Sequence, residues 1–381
     1  MSKVRIRENT FLGDQLIMEI LEGVQSITAS MVEILDPIDN QRVKLRQYLL
    51  KEGNIRRAED LVMVASPAVA AVDGALAIDK SLGAETALAV AVGVEGLGST
   101  MDREWTGVRQ AHWKGVLPHK GQKTYSLVRG IMSILELDIA INAPHDLVII
   151  DGSHLTPVIG LINMLSIEDE KLSRIAAEVL REHNTAEILQ RALSEPQIIG
   201  MVKYDSSCEL IEMWLNDFLD VCDDRTAMTL LLEPGEYTVP IRLGQTIKKE
   251  YDWDKLNLLL EMEQSEMVAR LPRALEYAHH HRIHFTYYRP HEWTPAYRIE
   301  LKEAAAQDAE KLSRILTAVR EQIITPDIRE PLPQHLADKI AKIVSVALDA
   351  LRTAAFNGLP AEKASKYLSL LMESYRTEEI F

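Results

Sequence analysis

Two short runs decide the fold: VAAVDGA at residues 69–75 and LVIIDGS at residues 147–153. Both are apolar without alternation, the pattern of a strand covered on both faces of its sheet. Each closes on the same pair, Asp73-Gly74 and Asp151-Gly152. If the two strands lie adjacent and parallel, their carboxylates emerge together at the carboxyl ends, where open α/β sheets place ligands. The glycines would let the chain turn sharply and leave room for a ligand. Asp-Gly alone also marks an ordinary turn. The repetition behind two buried runs is what points to chemistry. Two carboxylates held that closely repel each other, and a divalent cation between them is the natural remedy.

Around these runs the periodicity predicts further elements. TALAVAVGV (86–94) and GVRQAHWKGV (107–116) read as strands, and KTYSLVRGIMSILELDIAI (123–141) as one helix. Helices follow over 155–165 and 168–193, then a buried strand, IIGMVKY (198–204). Segment 223–232 is helical and runs into a strand within LEPGEYTVPI; HFTYYR and PAYRIEL are two more strands about a proline turn. Helices are expected over 304–322, 332–356 and from Pro360 onward, and residues 10–60 read as helical with a break at Asp36-Pro37. Three strands, a helix, and a strand bearing the second aspartate is the order of an RNase H-like fold. The expectation is therefore an α/β protein with an RNase H-like mixed sheet flanked by helices, and helices added at both termini. Its parts are a helical segment over 1–60, a main domain over 61–357 and a C-terminal helix over 358–381. That layout asks for a helix acid and a late-helix acid. Glu136, with Asp138 as runner-up, and Asp338 stand in those places.

Composition bounds the function. The 381 residues are 47% hydrophobic and 26% charged, enough for a large core. A net charge of −15 argues against coating nucleic acid by bulk electrostatics, though not against cutting it. Positive charge is local: Arg109, Lys114, Lys120 and Lys123 lie between Arg103 and Arg129, and a second group runs from Arg42 to Arg57. No apolar run approaches the length of a membrane span, and the opening MSKVRIRENTFLGDQ has no secretory pattern. Cys208 and Cys222 fit neither a disulfide framework nor a zinc site, so a cytoplasmic protein is expected. HHHRIH (279–284) lacks partner ligands at a suitable spacing and reads as a helix end running into a strand. Lys203 ends a strand and could meet a phosphate, while Tyr288, Arg289 and Arg298 on two adjacent strands could hold phosphate or stack a base.

The same residues, in order, resemble the NurA family. VAAVDGA, the helix with Glu136, LVIIDGS, IIGMVKYDSS (198–207), DDRTAMTLLLEPGEYTVP (223–240), FTYYRPHEWTPAYRIEL (285–301) and EPLPQHLADKIAKI (330–343) look like its successive motifs. The resemblance implies a manganese- or magnesium-dependent deoxyribonuclease, a 5′→3′ exonuclease and single-strand endonuclease. It also implies a homodimer docked on a HerA-type hexameric ATPase, in DNA-end processing or phage defence. The absence of a GxxxxGK[ST] loop fits a motor on a partner chain. In the site so implied Asp73 bridges two metal ions, with Glu136, Asp151 and Asp338 completing their shells and Lys203 on the phosphate. Two departures stand out: Ala75 where the family has serine, and Asp338 where it has histidine. His335, three residues earlier, could supply the imidazole. Those departures keep open a catalytically weak scaffold subunit of a HerA-type complex, and the fold also hosts enzymes acting on RNA.

Overall fold

The strand-forming runs gather into one mixed sheet in the computed structural model, which describes residues 16–363 apart from 82–83, 99–104, 106–108, 205, 217, 219–222, 244–282 and 361. In chain order the strands are β1 (Ile55–Arg57), β2 (Val69–Ser81), β3 (Ala84–Glu95), β4 (Gln110–Leu117), β5 (Leu147–Asp151) and β6 (Ile198–Val202). They continue as β7 (Glu236–Thr238), β8 (Ile241–Arg242), β9 (Ile283–Arg289) and β10 (Tyr297–Lys302). Their order across the sheet is β1-β7-β9-β10-β6-β5-β2-β3-β4, with β8 also on β9. The half β4-β3-β2-β5-β6 has an antiparallel meander on one side of β2 and two parallel strands on the other. That is the RNase H-like arrangement. An antiparallel extension, β10-β9-β7-β1, carries the sheet on from β6.

The helices are α1 (Val24–Lys51), α2 (Gln122–Ile141), α3 (Leu155–Leu165), α4 (Glu170–Glu182), α5 (Thr185–Ser194) and α6 (Asp224–Leu231). After the sheet come α7 (Glu303–Ala306), α8 (Ala309–Gln322), α9 (Leu332–Ala341) and α10 (Val344–Asn357). Side chains alternate across a strand, so β2 and β5 each feed two cores. Ala70, Val72, Val148 and Ile150 pack with Leu127, Ile131 and Ile134 of α2. Val69, Ala71, Leu147 and Ile149 pack with Ile315, Leu316 and Val319 of α8. Helices on both faces are the reason the strands are apolar throughout. Asp73 and Asp151 continue the odd-numbered series and so belong to the α8 side, where α9 covers β2 and β3 through Val92, Ala337 and Ala341.

Several expectations are corrected. Asp73-Gly74 does not end its strand: β2 runs on to Ser81, held by β3 from Asp73↔Val92 to Ser81↔Ala84. Only the second pair turns the chain, with Gly152 at φ +87°. Helix 168–193 divides at Asn184, whose left-handed φ of 46° no helix tolerates. Helix 304–322 restarts at Asp308, which caps the amides of Glu310 and Lys311. Helix 332–356 divides between Ala341 and Val344.

At the amino end, Pro37 lies inside α1 and does not break it. Ile38, Leu45 and Leu49 bury that helix in the main core, which offsets one missing hydrogen bond. The basic residues here are docking groups: Arg46 pairs with buried Glu236 at 2.7 Å, and Arg42 Nε donates to the Leu230 carbonyl. Ile55–Arg57, expected as helix, is a strand on β7. Of the expected terminal helix, residues 364–381 lie outside the described residues, as do the histidines 279–281. Among the described residues no helix is long and apolar enough to cross a membrane.

Candidate active site

The register of β2 and β5 sets the site. Val72 faces Ile150 across a parallel pair, so Asp73 and Asp151 stand side by side on strands about 4.8 Å apart. Asp73 is almost buried, and its Oδ1 accepts from the amide of Gly74 at 2.8 Å. Asp151 accepts from Gln334 Nε2 at 2.6 Å through Oδ1, and its Oδ2 lies 3.4 Å from Lys203 Nζ. The same ammonium is 2.6 Å from Glu330. Glu136 arrives from α2, on the opposite face, through the gap at Gly74. A Cβ at position 74 would stand 2.6 Å from Glu136 Oε1. The first glycine therefore lets a third carboxylate reach the strand, and does not make a turn.

Burial and mutual repulsion dominate the electrostatics. Burial, then Asp151 and Asp338, push Asp73 up to about 7 against the pull of Lys203. Burial, then Asp73 and Asp151, push Glu136 up to about 8. Asp151 is also raised, chiefly by burial, with Lys203 and Gln334 opposing. Burial works against the charge on Lys203, but Asp151 and Glu330 outweigh it and hold its pKa above the usual lysine value. Asp338 lies one turn beyond Gln334 on α9, and its Oδ2 is 3.1 Å from Lys342. His335 is turned to Glu330 at 3.0 Å. Glu330 and Gln334 are site residues that the sequence reading missed. The spacing of Gln334 and Asp338, four apart and so on one helix face, was the available signal.

Behind the acids, a buried network fixes the turn after β5. Glu300 Oε2 accepts from Ser153 Oγ at 2.8 Å and from the His154 amide at 2.9 Å. Burial opposes the charge on Glu300, yet His154, Arg298 and Ser153 together hold it below the ordinary carboxylate range. Gly200 makes room, since a Cβ there would meet the Gly152 carbonyl at 2.7 Å.

The expected DNA-binding residues divide sharply. Arg298 is buried: it donates to Ser207 at 2.8 Å, reaches Glu209 at 3.3 Å and lies over the Phe285 ring. Tyr288 is 1% exposed in the α8-side core. Arg289 is spent on the carbonyls of Thr229, Leu232, Glu292 and Thr294. These three are structural, because helices and turns cover both faces of β9 and β10. On the other edge, Lys120 pairs with Asp169 at 3.0 Å, and Lys123 donates to the Glu168 carbonyl. Arg109 lies over Trp105 and pairs with Glu95. Lys114 is exposed on β4, and the β3 register sets it, with His112, on the same face as Asp73.

Among the described residues no three His, Cys, Asp or Glu side chains already converge to hold an ion. The donor chemistry nevertheless fits a hard divalent cation. Asp73, Glu136 and Asp151 offer only oxygens, and burial, with their mutual repulsion behind it, makes each resist ionisation. Fold and site together define an RNase H-like α/β protein with a crowded acidic centre where β5 ends beside the middle of β2. The profile of the NurA domain matches residues 120–343, and the chain belongs to that family. The NurA nuclease of Sulfolobus solfataricus is similar in fold, with a TM-score of 0.52 at 15% identity over 88% of this chain and 99% of that one. A NurA structure (TM-score 0.52) and one with manganese (0.50) are each 12% identical over 91% of this chain and 99% of theirs. No curated protein sequence matches the chain.

Proposed function

We propose that this protein is a metal-dependent DNA nuclease that hydrolyses phosphodiesters at the Asp73–Glu136–Asp151 centre. The observation that carries the reading is the β2–β5 register, which sets two aspartates side by side and admits Glu136 over Gly74. The oxygen-only donor set suits Mn²⁺ or Mg²⁺, and two ions there would supply Lewis-acid activation of water and charge neutralisation at the phosphate. Asp73, Glu136 and Asp151 would hold the ions, with Asp338 next to Asp73. Lys203, anchored between Asp151 and Glu330, would offer its ammonium to the phosphate as negative charge builds. Lys114, on the acid face two strands from Asp73, would guide the strand inward. Manganese in a similar NurA structure supports the choice of metal.

The family membership supports action on DNA beside a HerA-type hexameric ATPase, in end processing or phage defence. It also supports a homodimer. The surface offered for assembly is the helical stretch ahead of α1, where Leu16, Ile17, Met18, Ile20 and Leu21 are each more than half exposed. A second copy of this chain is the proposed occupant. The catalytic reading is tested by Asp73→Ala and Asp151→Ala on labelled single-stranded DNA with Mn²⁺. Loss of a metal ligand removes several kcal/mol of transition-state stabilisation, so cleavage should fall below about a tenth of wild type. Higher activity in either folded variant overturns the assignment. Labelled RNA in parallel separates deoxyribonuclease from ribonuclease.

A further inference from the structure

Lys203 is followed by a residue the hydrolytic centre does not use. Tyr204 is 90% exposed, although a tyrosine ring gains by burial. Its ring is backed by Arg225 of α6, whose guanidinium carbon lies 5.5 Å from the ring centroid. Arg225 is itself anchored, Nε donating to the Ala296 carbonyl at 3.3 Å. The pair opens onto a groove of about 630 Å³ that is also lined by Leu35 of α1, Thr229 of α6 and Pro295. The groove therefore has a flat aromatic wall, a fixed cation and an apolar side, while the Thr229 hydroxyl is engaged with the Arg225 carbonyl and the Ala296 amide. Asp223 also lines the groove, its carboxylate capping α6 by accepting from the Thr226 amide and hydroxyl at 2.8 Å.

We propose that Tyr204 and Arg225 form a base-stacking subsite for one unpaired nucleotide of a single strand entering the acidic centre. This inference rests on the nuclease reading of that centre. A nucleobase presents a π face that stacks on tyrosine whatever its identity, and the guanidinium behind the ring strengthens the platform while attracting phosphate. In a duplex each base face is already covered by its neighbours, so the subsite selects unpaired strand. Chain position makes it a neighbour of the cut: Lys203 contacts Asp151, and Tyr204 is the next residue. A nucleotide held there sets which phosphate reaches the acids, so Tyr204 acts as a positioning and binding residue.

The test uses the full chain with Mn²⁺ and an end-labelled oligothymidylate, intact or carrying one abasic position at successive distances from the cut. Tyr204→Ala should raise KM by about tenfold and leave kcat within about twofold, the loss expected of one stacked base. Tyr204→Phe keeps the ring and should match wild type. At one abasic position the wild type should lose its advantage over Tyr204→Ala, which locates the stacked nucleotide. Because Tyr204 is exposed, thermal melts of the variants should coincide with wild type. A wild type that cleaves while Tyr204→Ala shows an unchanged KM overturns the subsite alone, as does an advantage that survives every abasic placement. A wild type that cleaves no strand overturns the subsite together with the nuclease reading.

Discussion

Asp73 and Glu136 carry raised pKa values, and the direction has a consequence for the metal-free chain. Their folded values, about 7 and about 8, lie above the 3.8 and 4.5 of the free side chains. A raised acid prefers its proton in the folded state, so folding takes up protons. The stability tied to these groups is present below the ordinary carboxylate range and is lost as pH rises through 7 to 8. In chelator, wild type should melt several degrees lower at pH 8 than at pH 5, and Asp73→Asn should narrow that gap. Identical pH dependence in the two proteins would show that the acids are not mutually strained. Adding Mn²⁺ at pH 8 should raise the melting temperature of wild type and not of Asp73→Ala, since only the intact centre gains from the cation. Of these residues, Asp73 and Asp151 were legible in the sequence because each closes an apolar run. Arg298 and Tyr288 were misread: on a strand covered on both faces, a charged or aromatic residue gives no sign of which side meets water.

The two Asp-Gly pairs look alike in sequence and do different work in their strands. Gly74 sits within β2 and gives way to Glu136, whereas Gly152 turns the chain out of β5 at φ +87°. Gly74→Ala meets Oε1, Cδ and Cγ of Glu136 at 2.6–2.9 Å, a side chain that can shift where a backbone cannot, so cleavage should fall at least tenfold with the smaller loss of melting temperature. Gly200→Ala meets the Gly152 backbone carbonyl at 2.7 Å, which cannot swing. It should destabilise the fold by about 1–3 kcal/mol, read by urea denaturation. If both alanines behave alike, the distinction between strand gap and turn support is wrong. The expected helices 304–322 and 332–356 showed continuous periodicity. The first breaks where Asp308 caps the new helix, and the second between Ala341 and Val344.

Across the whole molecule, the amino-terminal helix divides into a buried and an exposed part. Ile38, Leu45, Leu49 and Ile55 belong to the main core, so removing residues 1–60 would open it. Among the described residues, 16–34 are exposed apart from Gly23, so removing residues 1–34 takes nothing from the described core. Light scattering should find the full chain dimeric and this truncation soluble and monomeric; a truncation that still dimerises would refute the assignment of that surface. The sequence by itself determined the α/β class and the two aspartates on neighbouring buried strands, because buried-strand patterning and strand order are local signals carried by consecutive residues; that β2 runs on past Asp73 was not legible in it. Only the tertiary structure decided that Glu136 passes through Gly74 and that Gln334 and Glu330 brace Asp151 and Lys203. It also decided that Tyr204 stands open beside Arg225. Each of these is a contact between elements far apart in the chain, set by how helices cross a twisted sheet, and no periodicity within a single element records such a crossing.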